Sequence, residues 1–74
     1  MTKLPLLTAL EVAKILQKLG FQLKRQKGSH MFFEHPDGRT TVIPNHPGEH
    51  IDRGLLNKII KHDLQITRDE FVEG

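Results

Sequence analysis

Not one cysteine occurs in this chain of 74 residues. That absence limits the possible folds more than any motif does. A domain of this size buries only about 60% of the surface its unfolded chain exposes, and small domains often offset the shortfall with disulfides or a thiolate-bound metal. Neither device is open to this chain, so apolar packing, alone or completed by a partner, must hold it. The same smallness excludes a deep substrate cavity, and any chemistry has to take place on an open face against a large substrate or a protein. Residues 1–74 are expected to form a single domain. The lack of cysteine also removes the usual mark of small secreted domains. Met1 to Leu7 hold no apolar stretch long enough for a signal peptide, and no run approaches the length of a membrane span. The chain is therefore expected to be cytoplasmic, with no membrane partner.

The packing surfaces can be read from periodicity. Thr8 stands three residues before Glu11, a capping-box pattern, with Leu7 and Val12 at the positions of a hydrophobic staple. Val12, Ile15, Leu16 and Leu19 follow as one helical stripe, and Gly20 comes where a C-terminal glycine stops a helix. This predicts a helix over 9–19. Phe21 and Leu23 then alternate with Gln22 and Lys24, as in a half-buried strand, up to Gly28. Ser29 to His35 reads as a second strand, with Met31 and Phe33 on one face and His30 and Phe32 on the other. His35-Pro36-Asp37-Gly38 is a turn in which a three-residue loop would pair His35 with Arg39. Counting back sets Phe33 opposite Thr41, Phe32 opposite Val42, Met31 opposite Ile43 and His30 opposite Pro44. Asn45 to His50 is a loop. Asp52 caps a second helix whose buried side is expected to be Leu55, Leu56, Ile59 and Ile60. Thr67 and Glu70 repeat the capping box, with Ile66 and Phe71 as the staple, and predict a short terminal helical turn. The expected fold is a two-layer α+β domain. Its three-stranded antiparallel sheet carries helices on one face and leaves the other face, with His30 and Phe32, open to solvent.

The net charge of +2 says little about partners by itself, but its distribution says more. No acid lies between Glu11 and Glu34, whereas Lys14, Lys18, Lys24, Arg25 and Lys27 all do, and Asp63, Asp69, Glu70 and Glu73 crowd the other end. The basic stretch runs straight into Gly28-Ser29-His30. Glycine bends the backbone at low steric cost, and a strand is a rigid mount for the histidine. An imidazole can take a proton from a ribose 2′-hydroxyl or return one to a leaving oxygen, while cations hold the phosphate and its developing charge. RNA carries its own nucleophile beside each phosphate and DNA does not, so neither metal nor cofactor is required. The competing reading of the same residues is an exposed strand histidine in a basic patch. Ser29 is a poor nucleophile candidate, because neighbours on a strand point to opposite faces and no third orienting group is evident.

The other histidines do not suggest a metal centre. His46 and His50 are four apart, but the proline and glycine between them preclude a helix, and no cysteine or HExxH-like element completes a ligand set. His46, in the loop after the third strand, is a candidate second proton-transfer group or phosphate contact, with a solvated loop residue as the competing reading. His35 and His62 are accounted for by a turn and a helix end. Lys24, Arg25 and Lys27 are candidate phosphate contacts. Phe32 is a candidate for stacking on an RNA base, for packing against Val42, or for burial under a protein partner.

Taken in order, these pieces resemble the HicA toxins of bacterial and archaeal toxin–antitoxin pairs. The resemblance runs from Leu4-Pro5 to Phe71. It rests on Leu19-Gly20-Phe21, on Lys27-Gly28-Ser29-His30 with Phe33 three residues on, on Val42-Ile43-Pro44-Asn45-His46, and on Arg53-Gly54-Leu55-Leu56 with Ile59-Ile60. Residues 57–64 carry no distinctive motif. The resemblance implies a fold like that of double-stranded RNA-binding domains, in the order α-β-β-β-α. It implies a ribonuclease that cleaves mRNA, with His30 as the catalytic residue; read from the residues themselves, Lys24, Arg25, Lys27, Ser29, Phe32 and His46 are expected on the RNA side. The resemblance also implies a HicB-type antitoxin that neutralises the toxin in a hetero-oligomer. A non-catalytic RNA-binding module on the same fold is the alternative from a different class, and a chain that only binds an antitoxin is a third.

Overall fold

The structure, a computed structural model, describes residues 4–73. Residues 1–3 of the Met1 to Leu7 stretch, in which no signal segment is expected, lie outside the described residues. The first helix, α1 (Ala9–Lys18), starts where the capping pattern puts it. The Thr8 backbone N–H donates to Glu11 Oε1 (2.9 Å) and the Glu11 N–H donates to Thr8 Oγ1 (3.3 Å). It ends in a Schellman motif: the Phe21 N–H donates to the Leu16 carbonyl (2.9 Å) and the Gly20 N–H to that of Gln17 (3.1 Å). Gly20 takes the required left-handed conformation at φ +98°.

Three strands follow, β1 (Gln22–Lys27), β2 (His30–Glu34) and β3 (Thr40–Pro44), in the spatial order β1-β2-β3 and antiparallel throughout. The β2–β3 register is the one that the turn predicts, from His30 opposite Pro44 to Phe33 opposite Thr41. His35 N–H donates to the Arg39 carbonyl (2.8 Å) and closes the three-residue loop. Two expectations for the preceding hairpin need correction. The first strand is not half-buried: all six residues of β1 are exposed, Leu23 among them at 44%. It is an edge strand, and a bulge between Leu23 and Arg25 breaks the alternation; Phe21 is buried as part of the helix stop. Ser29 does not lie on a strand either. Gly28 (φ +58°) and Ser29 form the two-residue turn between Lys27 and His30. A positive φ at the first turn position alone matches a turn that favours glycine there.

The chain then runs through a loop to α2 (Arg53–Lys58), capped by Asp52, whose Oδ2 accepts the Leu55 N–H (3.1 Å). The helix continues as a wider π-helical segment, Ile59–Leu64, and Gln65 ends it with a left-handed backbone (φ 57°). The short α3 (Arg68–Glu73) begins at the second capping box, in which Thr67 N–H donates to Glu70 Oε1 (3.0 Å) and Glu70 N–H to Thr67 Oγ1 (3.1 Å).

Val12 and Leu16 of α1, Met31 and Phe33 of β2, Ile43 of β3, Leu56, Ile59, Ile60 and Leu64 of the second helix, and Phe71 of α3 form one buried cluster. The helices therefore cover one face of the sheet. Leu55 is not in the cluster, contrary to expectation; it is 38% exposed. The buried stripe centres on Leu56, Ile60 and Leu64, and Leu55 lies about 100° off that line at one residue's rotation.

Candidate functional site

Alternation along β2 sorts its side chains between two environments. Met31 and Phe33 are buried, His30 and Glu34 are exposed, and Phe32 is half-buried. Residues paired directly across an antiparallel sheet share a face, so the register assembles the rest of the open face in rows. Lys27, His30 and Pro44 form one row, Arg25, Phe32 and Val42 the next, and Gln22, Glu34 and Thr40 the third. Arg25 and Lys27 therefore stand on the same side as His30. Lys24 sits at the bulge and donates from Nζ to Gln22 Oε1 (3.3 Å).

The charge on this face is not neutralised. Among the described residues the ion pair is that of Asp37 with Arg39, Asp37 Oδ1 also lying 3.0 Å from His35 Nδ1, and neither contact involves Lys24, Arg25 or Lys27. Arg25 is positioned by an aromatic ring instead: its Cζ lies 4.7 Å from the centre of the Phe32 ring. A guanidinium held by a π-face keeps its full charge available to an anion. Arg25 thus covers part of the Phe32 ring.

Ser29 is half-buried in the turn, and its carbonyl accepts the Asn45 N–H (2.6 Å). This bond ties the loop after β3 to the turn that carries His30, and nothing in side-chain pattern announces it. His46 follows on that loop. It is exposed and lines an open cleft of about 260 Å³ together with Pro44, Glu49, His50, Asp52 and Leu55. The structure thus gathers Arg25, Lys27, His30 and Phe32 on one surface with Lys24 at its bulge, sets Ser29 in the turn beside them, and places His46 in the cleft beyond Pro44. Glu34, which sequence reasoning did not single out, belongs to the same face; its parity with His30 and Phe32 was the available signal.

His35 has a structural setting. Its Nδ1 accepts the Asp37 N–H (3.1 Å), and its ring meets Phe21 edge-on at 5.1 Å. The Arg39 backbone N–H, donating to Asp37, holds that carboxyl below its ordinary range, helped by the Arg39 guanidinium. The Thr8 backbone N–H, and then its hydroxyl, hold Glu11 below the usual carboxylate range; His50 adds a smaller push in the same direction. Among the described residues no three His, Asp or Glu side chains gather as metal ligands, and no helix is long and apolar enough to cross a membrane.

A family model described as the HicA toxin of bacterial toxin–antitoxin systems matches residues 10–63. The matched span contains all three strands, the Gly28–Ser29 turn, His46 and the capped second helix. No curated protein matches the chain.

Proposed function

Since the chain belongs to the HicA toxin family of bacterial toxin–antitoxin systems, we propose that it is a metal-independent endoribonuclease that cuts mRNA with His30 as its general acid–base group. The observation that carries this reading is the row formed by Lys27 and His30, directly opposite each other on an uncovered sheet face, with Arg25 in the adjoining row. An extended RNA strand can lie on such a face; a buried histidine could not be reached.

In the proposed reaction His30 takes the proton of a ribose 2′-hydroxyl. The 2′-oxygen attacks the neighbouring phosphorus, and the bond from phosphorus to the 5′-oxygen breaks. The imidazolium returns its proton to that leaving oxygen, so the histidine ends as it began. The products are a 2′,3′-cyclic phosphate and a 5′-hydroxyl. Lys27 and Arg25 bind the phosphate and the charge that grows on its free oxygens, and Lys24 extends the cationic track along the strand. Ser29 and His46 contact the backbone on the turn and loop side. Phe32 presents Arg25, and a base can stack on the outer plane of that guanidinium. The internal nucleophile and the cations supply what a metal would otherwise provide. The reaction takes place in the cytoplasm, where a HicB-type antitoxin neutralises the toxin by forming a hetero-oligomer that covers this face.

The test is induction of wild type against His30→Ala, with cellular mRNA mapped for new 5′-hydroxyl ends. Removal of a general acid–base group should slow cleavage by about 10²–10⁴-fold and relieve growth arrest. Unchanged cleavage by His30→Ala would defeat the proposal. RNA that is bound with steep salt dependence but never cut would identify a binding module instead.

A further inference from the structure

One residue of the open face does not fit a surface built only to hold phosphate. Glu34 is the next outward position on β2 after His30 and Phe32, and it is exposed. It is the only carboxylate in rows that otherwise carry Arg25, Lys27 and His30, with Lys24 beside them at the bulge. Its side chain makes no hydrogen bond or ion pair among the described residues. Lys24, at the bulge, gives its ammonium to Gln22 instead. An unneutralised carboxylate beside a phosphate track repels the backbone of a nucleic acid, so it serves no phosphate-binding purpose. It is well suited to accept hydrogen bonds from the N–H edge of a base.

The surface around it has room for one. A shallow depression of about 320 Å³ lies over the sheet between β1 and β3, with Phe32 and Val42 as its apolar floor and Lys24, Glu34 and Thr40 at its rim. Arg25 does not line it, so it lies off the part of the ring that the guanidinium covers. Val42 is 39% exposed there, so apolar surface is open to a flat ligand. Phe32 is two residues from His30 along the strand, about 7 Å, roughly the length of one extended nucleotide. A phosphate at His30 would therefore set a neighbouring unpaired base over Phe32 and Val42, with its edge towards Glu34.

We infer that this depression seats the base next to the cleaved phosphate and that Glu34 selects guanine there. Guanine alone has two adjacent donors, N1–H and the 2-amino group, that meet both oxygens of one carboxylate. Adenine and cytosine set one donor beside an acceptor, and uracil sets its donor between two carbonyls that a carboxylate repels. The inference rests on the ribonuclease reading for the position of the phosphate, but the seat itself can be tested without cleavage.

Binding is measured with the full chain carrying His30→Ala and with short uridine oligonucleotides that contain no guanosine or a single one. One good bidentate contact discriminates by about 1–3 kcal/mol, and exposure favours the low end. The guanosine-containing oligonucleotide should bind about tenfold more tightly. It should perturb the backbone amide resonances of Thr40 and Val42. Glu34→Gln, which keeps size and solubility, should remove the preference, and so should Glu34→Ala. Equal binding of the two oligonucleotides, or a preference that survives Glu34→Gln, overturns the inference. If RNA of neither composition perturbs Thr40 and Val42, the depression is not a base seat and the face is left to a protein contact. Guanosine-selective binding in a wild-type protein that never cuts RNA would sink the ribonuclease reading and leave the seat standing.

Discussion

The substitution Gly20→Ala tests how the end of α1 is locked to the β2–β3 hairpin. At φ +98° an L-residue pays about 1–2 kcal/mol in backbone strain. A Cβ there would also sit 2.9 Å from Nε2 of His35, so the imidazole must move. Two contacts hold that ring: the edge-on meeting with Phe21 at 5.1 Å, and the hydrogen bond that Nδ1 accepts from the Asp37 N–H at 3.1 Å. The aromatic contact is worth about 0.5–1.5 kcal/mol, and the hydrogen bond about the same. If the ring swings clear, Gly20→Ala costs about 2–5 kcal/mol in all. In a His35→Ala background the ring is already gone, and the same substitution should cost the strain alone. Urea unfolding of the four proteins at constant m-value closes a double-mutant cycle. A coupling of about 1–3 kcal/mol is expected. Additivity within about 0.5 kcal/mol would refute the steric link, whatever the size of the single effects.

Two further outcomes follow from burial and charge. Leu56→Ala should destabilise by about 2–5 kcal/mol, whereas its neighbour Leu55→Ala should cost under about 1 kcal/mol because Leu55 is 38% exposed; urea midpoints that rank the two the other way would refute the assigned buried stripe. Asp37 and Glu11 both have carboxyls held below their ordinary range in the folded chain, so their contribution is fully present above the unfolded-state values of about 4 and is lost as pH falls from there through the folded values. Stability measured from pH 7 downward should therefore start to fall near pH ~4, and Asp37→Asn should make that fall shallower; an equally steep fall would show that Asp37 plays no part in it.

The legible parts of this chain are those in which local chemistry leaves few alternatives. Both capping boxes form because a threonine hydroxyl and a glutamate three residues on satisfy each other's backbone donors, a contact that needs no tertiary help. The β2–β3 register followed from the loop, since Pro36 and Gly38 permit a single short connection and the pairing counts back from it. β1 was misjudged because an edge strand has only one neighbour to discipline it, and Gln22 to Lys27 offer no apolar alternation after Leu23; the bulge could therefore form unannounced. Leu55 was placed in the core by a stripe drawn one residue too wide. The bond from Asn45 N–H to the Ser29 carbonyl joins backbone to backbone across the fold, so no side chain records it. His30 was placed on the open face by parity alone. Glu34 has the same parity, but a charged residue at a strand end is ordinarily read as solvated.

The same parity couples stability to the site. In β2, Met31 and Phe33 contribute to the core while His30, Phe32 and Glu34 form the outer face. A slip of one residue against β1 or β3 would expose two large apolar side chains and drive an imidazole and a carboxylate under the helices, where neither has a partner. The alternative register is therefore penalised on both faces at once. Three local devices reinforce the choice: the two-residue turn at Gly28, the three-residue loop closed by His35 and Arg39, and the Ser29–Asn45 tether. Each lies at an end of β2, where a slip would have to begin. In a domain too small for a rigid cavity, the placement of His30 opposite Lys27 is thus a consequence of burying Met31 and Phe33, and the geometry of the open face is held by the same free energy that holds the fold.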